Sequence, residues 1–306
     1  MYNFIKIIVI IDKKGRHLQL SAFIKLMRPQ QYIKNLFIFL PLFFAMEVTN
    51  GVLFANAFVA FIAFSLTASA VYILNDYYDI EEDREHPEKK HRPLASGTIS
   101  KTQAIVMMGV LGTVGFVLMA WLSLEAVGIL ATYVGMNIAY SLYLKHVAIL
   151  DVNIIAIGFV LRLFIGAAVD GIALSMWIVI MTFLLALFMA LAKRRDDVLI
   201  YLETGKKMRK VLDGYNLQFL DVSMAIMASV VIVVYTIYTT SAEVIARTHS
   251  EYLYLTAFFV ILGILRYLQV TFVEKESGSP TKIVLKDRFM QFTLLGWIVT
   301  FSWILY

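Results

Sequence analysis

The sequence contains no cysteine, which removes disulfides, thiolate metal sites and cysteine nucleophiles from consideration. Proline is scarce at 5 residues and glycine at 16 in a chain of 306, too few for a linker-rich or low-complexity protein. Charge is scarce too: 16% of residues carry it, where a soluble domain has about 25%. No P-loop, GxGxxG fingerprint or Ser/His/Asp arrangement is present. What fills the sequence instead is apolar, 60% of all residues. A surplus of that size has to face lipid, and the 14 Met and 22 Phe read as part of that packing. The excess of 27 Lys+Arg over 22 Asp+Glu would suggest nucleic acid in a soluble chain. In a polytopic membrane protein it reads as topology, and no nucleic-acid partner is expected. The apolar stretch at 7–11 is short, and no small-residue cleavage site follows it, so it does not read as a signal peptide. Residues 1–30 are expected to form a cytoplasmic arm or interfacial segment ahead of one transmembrane domain, 31–306.

A bilayer core of about 30 Å needs about 20 apolar residues per helix. Runs of that kind predict an all-α chain with about nine spans, at 33–47, 53–74, 102–122, 125–143, 150–170, 174–192, 218–241, 251–272 and 289–306. Placing the N-terminus in the cytoplasm puts 25 of the 27 Lys+Arg on the inside face, leaving Arg247 outside and Arg162 deep within a span. The long loops fall on the same inside face, so function is expected there, in the cell (inner) membrane.

The inside loop after the second span opens with Asn75, Asp76, Asp79 and Asp83. Spacings of three and four share one face of a helix, so three carboxylates and the Asn75 amide are expected to converge. Carboxylates so arranged repel one another unless a cation joins them. Hard oxygen ligands favour Mg2+, which commonly bridges carboxylates and substrate phosphates. Basic residues follow: Lys89, suited to act as a point charge, and Arg92, suited to grip phosphate bidentately. Taken alone these would be topology charges; beside the acidic cluster they read as the second half of a diphosphate site.

Asn75, Asp76, Asp79 and Asp83, followed by Arg92, Pro93, Leu94, Ser96 and Gly97, resemble the first aspartate-rich motif of the UbiA-type prenyltransferase superfamily. That resemblance, over 22–306, implies nine helices around a central cavity with magnesium-diphosphate at its cytoplasmic mouth. Aromatic prenyltransferases of this superfamily usually carry a second aspartate-rich motif after helix six. Here that place is cationic, with Lys193, Arg194, Arg195, Lys206, Lys207, Arg209 and Lys210 around Asp196 and Asp197. Adjacent Asp196 and Asp197 point about 100° apart on a helix and make a poor pair. The combination resembles the branch of polyprenyl (decaprenyl-type) phosphate phosphoribosyltransferases. Arg28, Pro29, Gln31, Lys34 and Asn35 match that branch near the start, as do His86, Pro87, Lys89, Arg92 and Pro93. Tyr140, Ser141, Leu144, Lys145, Asp151 and Val152 fit as well, and so do Lys286, Asp287 and Arg288. Gln30 adds a second glutamine, and Tyr32 stands where Trp is usual.

The resemblance implies that 5-phosphoribosyl diphosphate (PRPP) takes the diphosphate site and a lipid polyprenyl phosphate is the nucleophile, in building the cell envelope. It makes Asn75, Asp76, Asp79 and Asp83 the metal ligands, and Asp76, Asp79, Asp83, Lys193 and Arg194 the catalytic set. Lys34, Asn35, Asn75, Lys89, Arg92, Tyr140, Lys145, Asp151, Arg162 and Arg209 are the expected substrate contacts. Asp151 and Arg162 are eleven residues apart, just over three helical turns, so they point the same way. Two readings stay open for them: a buried ion pair that fixes two helices, or cavity residues on a phosphate. Tyr140 reads either as a site hydroxyl or as an interfacial aromatic. An aromatic prenyltransferase with a prenyl diphosphate donor is the alternative; a transporter, which would spread polar residues through both halves, ranks below both.

Overall fold

The computed structural model describes residues 16–85, 89–205, 210–274, 283 and 286–305. Among the described residues every regular element is helical. In order they are α1 (Arg16–Met27), a 3₁₀ segment (Pro29–Phe39), α2 (Leu40–Phe44), α3 (Gly51–Tyr78), α4 (Ile80–Glu85), α5 (Lys101–Leu122), α6 (Leu124–Leu142), α7 (Leu150–Asp170), α8 (Met176–Thr204), α9 (Leu217–Thr240), α10 (Ala242–Thr248), α11 (Ala257–Phe272) and α12 (Arg288–Leu305), with short 3₁₀ turns at Lys89–His91, Leu144–His146, Lys210–Gly214 and Tyr252–Thr256.

Helix starts follow from side-chain oxygens that take up otherwise orphaned N–H groups. Asn50 caps α3 and Asn216 caps α9, where its side chain accepts from Phe219 N at 2.7 Å. Ser100 and Gln103 form a reciprocal capping box at the head of α5. Helix α8 runs 29 residues to a left-handed Gly205 (φ 68°), which carries its cationic end well beyond the expected limit of 192.

Seven helices among the described residues are long and apolar enough to cross a membrane. They coincide with seven of the nine expected spans; the multi-pass membrane character is shown and the number nine is not confirmed. The first expected span, 33–47, is a 3₁₀ segment followed by the five-residue α2. The fourth coincides with α6, a 19-residue helix diluted by Glu125 and Asn137. Within the expected arm, Ala22 and Leu26 of α1 are buried with Ile73, Ile80 and Leu94.

Helices α3 and α7 form the interior, while α5, α9 and α12 turn most of their apolar side chains outward to lipid. Close approach depends on small residues, as expected where lipid gives no hydrophobic drive between helices. Ala57, Ala60, Ala63 and Ala68 are buried along α3. A Cβ on Gly166 would stand 2.0 Å from the Ile38 carbonyl oxygen, so only glycine lets α7 touch the 3₁₀ segment there. The antiparallel run of helices brings the ends of α3 and α8, the starts of α7 and α9, and the 143–149 turn to one end of the bundle.

Candidate active site

Asp76 is the last buried polar position of α3 and Asp79 its C-cap, and Asp83 follows on α4 with its N–H bonded to the Asp79 carbonyl. Helical continuity through this junction aims Asp76 and Asp83 the same way. A single guanidinium nitrogen of Arg92 donates to both, at 2.9 Å to Asp76 Oδ1 and 2.7 Å to Asp83 Oδ2. Both carboxylates are 2% exposed. Arg28, in a left-handed conformation (φ 54°) at the entry to the 3₁₀ segment, also pairs with Asp76, and its guanidinium lies over the Tyr72 ring. Lys89 Nζ sits 3.9 Å from Asp83.

Asp79 turns elsewhere. Its carboxylate accepts from Lys145 Nζ at 2.6 Å and from the Asn75 amide at 2.9 Å, while Asn75 Oδ1 accepts from Ser141 Oγ at 3.2 Å. The expected convergence of three carboxylates and an amide is therefore split: Asp76 and Asp83 meet on Arg92, while Asp79 pairs with Lys145 and accepts from the Asn75 amide. Among the described residues no group of three His, Asp or Glu is gathered as a metal site. Asp79, the C-cap of α3 (φ −92°, ψ 7°), pairs with Lys145 from the 143–149 turn, which holds its carboxylate apart from the Arg92 that joins Asp76 and Asp83. Two buried carboxylates that share one nitrogen within 3 Å nonetheless fit a divalent ion, since each presents a hard oxygen to a common point.

The cationic cluster at the end of α8 differs from expectation. Lys193 is exposed and lies within electrostatic reach of Lys34, as do Arg28 and Arg162. Arg194 is 1% exposed: its Nε donates to Asp151 Oδ2 at 2.6 Å, and another nitrogen pairs with Asp197 one turn along. Tyr140 stands near its guanidinium. Arg195 is also buried, donating to Asp221 at 2.6 Å and to the Thr271 carbonyl at 3.0 Å. Two of three consecutive cations thus pin α8 to α7, α9 and α11, and direct phosphate contact by Arg194 does not fit this placement.

Asp151 and Arg162 do not pair with each other. Asp151 takes Arg194 and the Tyr215 hydroxyl, the latter at 2.5 Å. Arg162 donates to Asn35 Oδ1 at 2.8 Å and to the Gly158 carbonyl at 2.6 Å, and lies against the rings of Phe64, Tyr133 and Phe159. Among the described residues no carboxylate pairs with it. A mid-membrane arginine costs about 3 kcal/mol or more when bare, and here an amide, a carbonyl and three π faces offset that cost. Asn35, which also donates to Ser65 at 2.9 Å, is 2% exposed and spent in the same interior contact rather than on a substrate. Arg209 and residues 86–88 of the motif lie outside the described residues.

Three participants were not singled out from sequence: Arg28 as a partner of Asp76, Ser141 as a partner of Asn75, and Tyr215 as a partner of Asp151. Arg28 and Ser141 did stand inside motifs, which was the available signal. Tyr215 carried none. Burial and its bond to Asp151 push the Tyr215 phenol above its usual pKa, so it stays a neutral donor.

The profile described as "UbiA prenyltransferase family" matches residues 36–295. This chain belongs to the UbiA prenyltransferase family. As a UbiA family member it is a transferase, and its similarity to other proteins extends over nearly the whole chain. It is 32% identical to a decaprenyl-phosphate phosphoribosyltransferase of Mycolicibacterium smegmatis, over 94% of this chain and 93% of the relative. It is 28% identical to the protein of that name from Corynebacterium glutamicum, over 91% of this chain and 85% of the relative. Among solved structures it resembles a UbiA homolog from Archaeoglobus fulgidus bound to DMAPP and Mg2+, with a TM-score of 0.68, 17% identity, and coverage of 92% of this chain and 99% of that one. At that identity the likeness speaks for the UbiA fold alone.

Proposed function

We propose that this UbiA family transferase moves 5-phosphoribose from PRPP to a membrane polyprenyl phosphate of the decaprenyl type and releases diphosphate. The observation that carries the reading is the charge alternation at the α3–α4 junction, where Asp76, Asp79 and Asp83 are interleaved with Arg28, Lys89, Arg92 and Lys145. Such a patch suits a ligand that is itself a cation bound to polyanionic phosphate. The anion then takes over the arginines and lysines, and the cation takes over the carboxylates. The two phosphoribosyltransferases it resembles along most of its length supply the choice of donor.

Asp76 and Asp83 would hold Mg2+, with Asp79 and Asn75 beside them. The ion, when bound, neutralises charge on the departing diphosphate. The chain's own residues do the rest. Arg92, Lys89 and Arg28 are placed to bind phosphate oxygens, and Lys145 to orient them from the far side of Asp79. Lys193 and Lys34, one exposed and one half-buried, are the cations placed for the second phosphate. The C1–O bond of PRPP breaks with its electron pair going to diphosphate, and an oxygen of the polyprenyl phosphate forms the new C1–O bond. That oxygen is already anionic at neutral pH, so no strong general base is required. Rate enhancement rests on leaving-group stabilisation and on orientation at the bilayer surface. The site lies on the cytoplasmic side of the inner membrane, with 31–306 as the catalytic domain.

The test is transfer of label from radiolabelled PRPP to polyprenyl phosphate by purified protein, with and without Mg2+. Lipid-linked label that requires Mg2+ is the expected result. No lipid-linked label, together with prenylation of an aromatic acid from a prenyl diphosphate, would overturn the donor and restore the aromatic alternative.

A further inference from the structure

The turn between α6 and α7 carries Lys145 to Asp79. That turn ends on Ile149 at φ 71°, ψ −46°, a conformation that β-branched residues avoid. The Ile149 side chain is 55% exposed, so packing is not what keeps it there. Ile149 is also the N-cap of α7, and its own side chain caps nothing. Its carbonyl accepts from Asn153 N at 3.1 Å and Asn153 Nδ2 at 2.7 Å within α7, while its N–H is held from another loop. The Ile149 N–H donates to the Tyr215 hydroxyl at 2.7 Å, and that hydroxyl donates to Asp151 Oδ1 at 2.5 Å. Asp151 is fixed in turn by Arg194. Tyr215 reaches the turn because its neighbour is glycine: a Cβ on Gly214 would stand 2.5 Å from Ala148 Cβ.

We propose that Tyr215 is a positioning residue whose hydroxyl clamps the 144–149 turn in its strained form and so sets Lys145 against Asp79. Tyr215 thereby shapes the diphosphate site without touching substrate. The proposal rests on the reading of that site given above. The hydroxyl satisfies the one N–H that the strained residue presents and transfers the load to a buried carboxylate. Released from it, Ile149 reverts to negative φ and swings the backbone that bears Lys145. Glycine adopts φ 71° freely, so it removes the need for the clamp.

The experiment compares wild type, Tyr215→Phe, Ile149→Gly and the double variant in the full chain in nanodiscs. It measures KM and kcat for PRPP, and hydrogen exchange of the 144–150 amides. Tyr215→Phe is expected to lower kcat/KM for PRPP about tenfold, mostly through KM, and to speed exchange in the turn. Ile149→Gly alone is expected to stay near wild type, and the double variant to recover to within about threefold of it. Gly214→Ala, which pushes Tyr215 off the turn by another route, is expected to reproduce the Tyr215→Phe signature. Tyr215→Phe with a lowered Tm but unchanged exchange and unchanged KM would overturn the proposal, and so would a loss that Ile149→Gly fails to rescue. A wild type that ignores PRPP, with faster turn exchange in Tyr215→Phe and restoration in the double variant, refutes the substrate and upholds the clamp.

Discussion

Replacing Arg194 with methionine separates a structural cation from a substrate-binding one. Arg194 is 1% exposed and Asp151 is 0% exposed, with 2.6 Å between Nε and Oδ2. Methionine keeps much of the volume and removes the charge, so Asp151 would be left buried with only the Tyr215 hydroxyl and no counter-charge. Breaking a buried pair in this way costs about 3–5 kcal/mol, because the remaining ion keeps its desolvation penalty and loses its partner. For a chain of this size that is a fall in Tm on the order of 10 °C, readable by thermal unfolding in detergent. Removing both charges, as Arg194→Met with Asp151→Asn, is expected to return most of that loss, since the fully buried carboxylate goes with its partner. A purely catalytic Arg194 gives the opposite pattern: unchanged Tm, abolished transfer, and no recovery in the double variant. That outcome would refute the placement of Arg194 as a pin between α7 and α8.

Other outcomes follow from the same geometry. Asp79→Asn is expected to abolish transfer with helix content intact, because its place between Lys145 and Asn75 is lost while the α3–α4 backbone bonds remain; circular dichroism and the label assay check both halves. Gly166→Ala places a methyl 2.0 Å from the Ile38 carbonyl oxygen, so α7 and the 3₁₀ segment must part, at a cost of about 1–3 kcal/mol seen as a lowered Tm. Asp287 is held below the usual carboxylate range, first by its hydrogen bond to Arg266. Its contribution to stability is therefore full above the unfolded pKa near 3.8 and is lost as pH falls through the lower folded value. Asp287→Asn is expected to flatten the acid side of a Tm-against-pH curve and to leave the ratio of variant to wild type unchanged between pH 6 and 8.

The membrane class was legible because it rests on composition and run length, which tertiary contacts cannot reverse. Helices α3, α5, α7 and α9 fall within a few residues of the runs that predicted them, and α3, α5 and α9 pair the apolar stretch with the cap residues Asn50, Ser100 and Asn216. The site was legible as a neighbourhood and less so as a geometry. Spacing put Asp76, Asp79 and Asp83 on one helix face, but the break at Asp79 is decided by Lys145, 66 residues away. A pattern of three and four cannot register a partner from another loop. The same limit applies to Arg162 and Arg194. Sequence shows that each is a cation in a demanding place, and only packing shows that one is satisfied by Asn35 and ring faces and the other by Asp151.

The two groups of cations do different work because they sit at different depths. Arg194 and Arg195 are buried, and the partner of Arg194, Asp151, is buried too, so no incoming phosphate can displace it without leaving an unpaired ion inside the bundle. Arg28, Lys89 and Arg92 keep between 19% and 31% of their side chains exposed, while their partners Asp76 and Asp83 keep 2%. For these pairs the asymmetry favours exchange: the cations can swing to a solvent-borne phosphate at little desolvation cost, but the carboxylates they abandon cannot reach water. A second cation must arrive with the phosphate for the exchange to be favourable. Binding of a bare polyphosphate should therefore be weak, and binding of its Mg2+ complex strong. Isothermal titration with PRPP, with and without the metal, measures that difference directly, and equal affinity in both titrations would show that Asp76 and Asp83 are permanent partners of Arg92 rather than a seat for a metal.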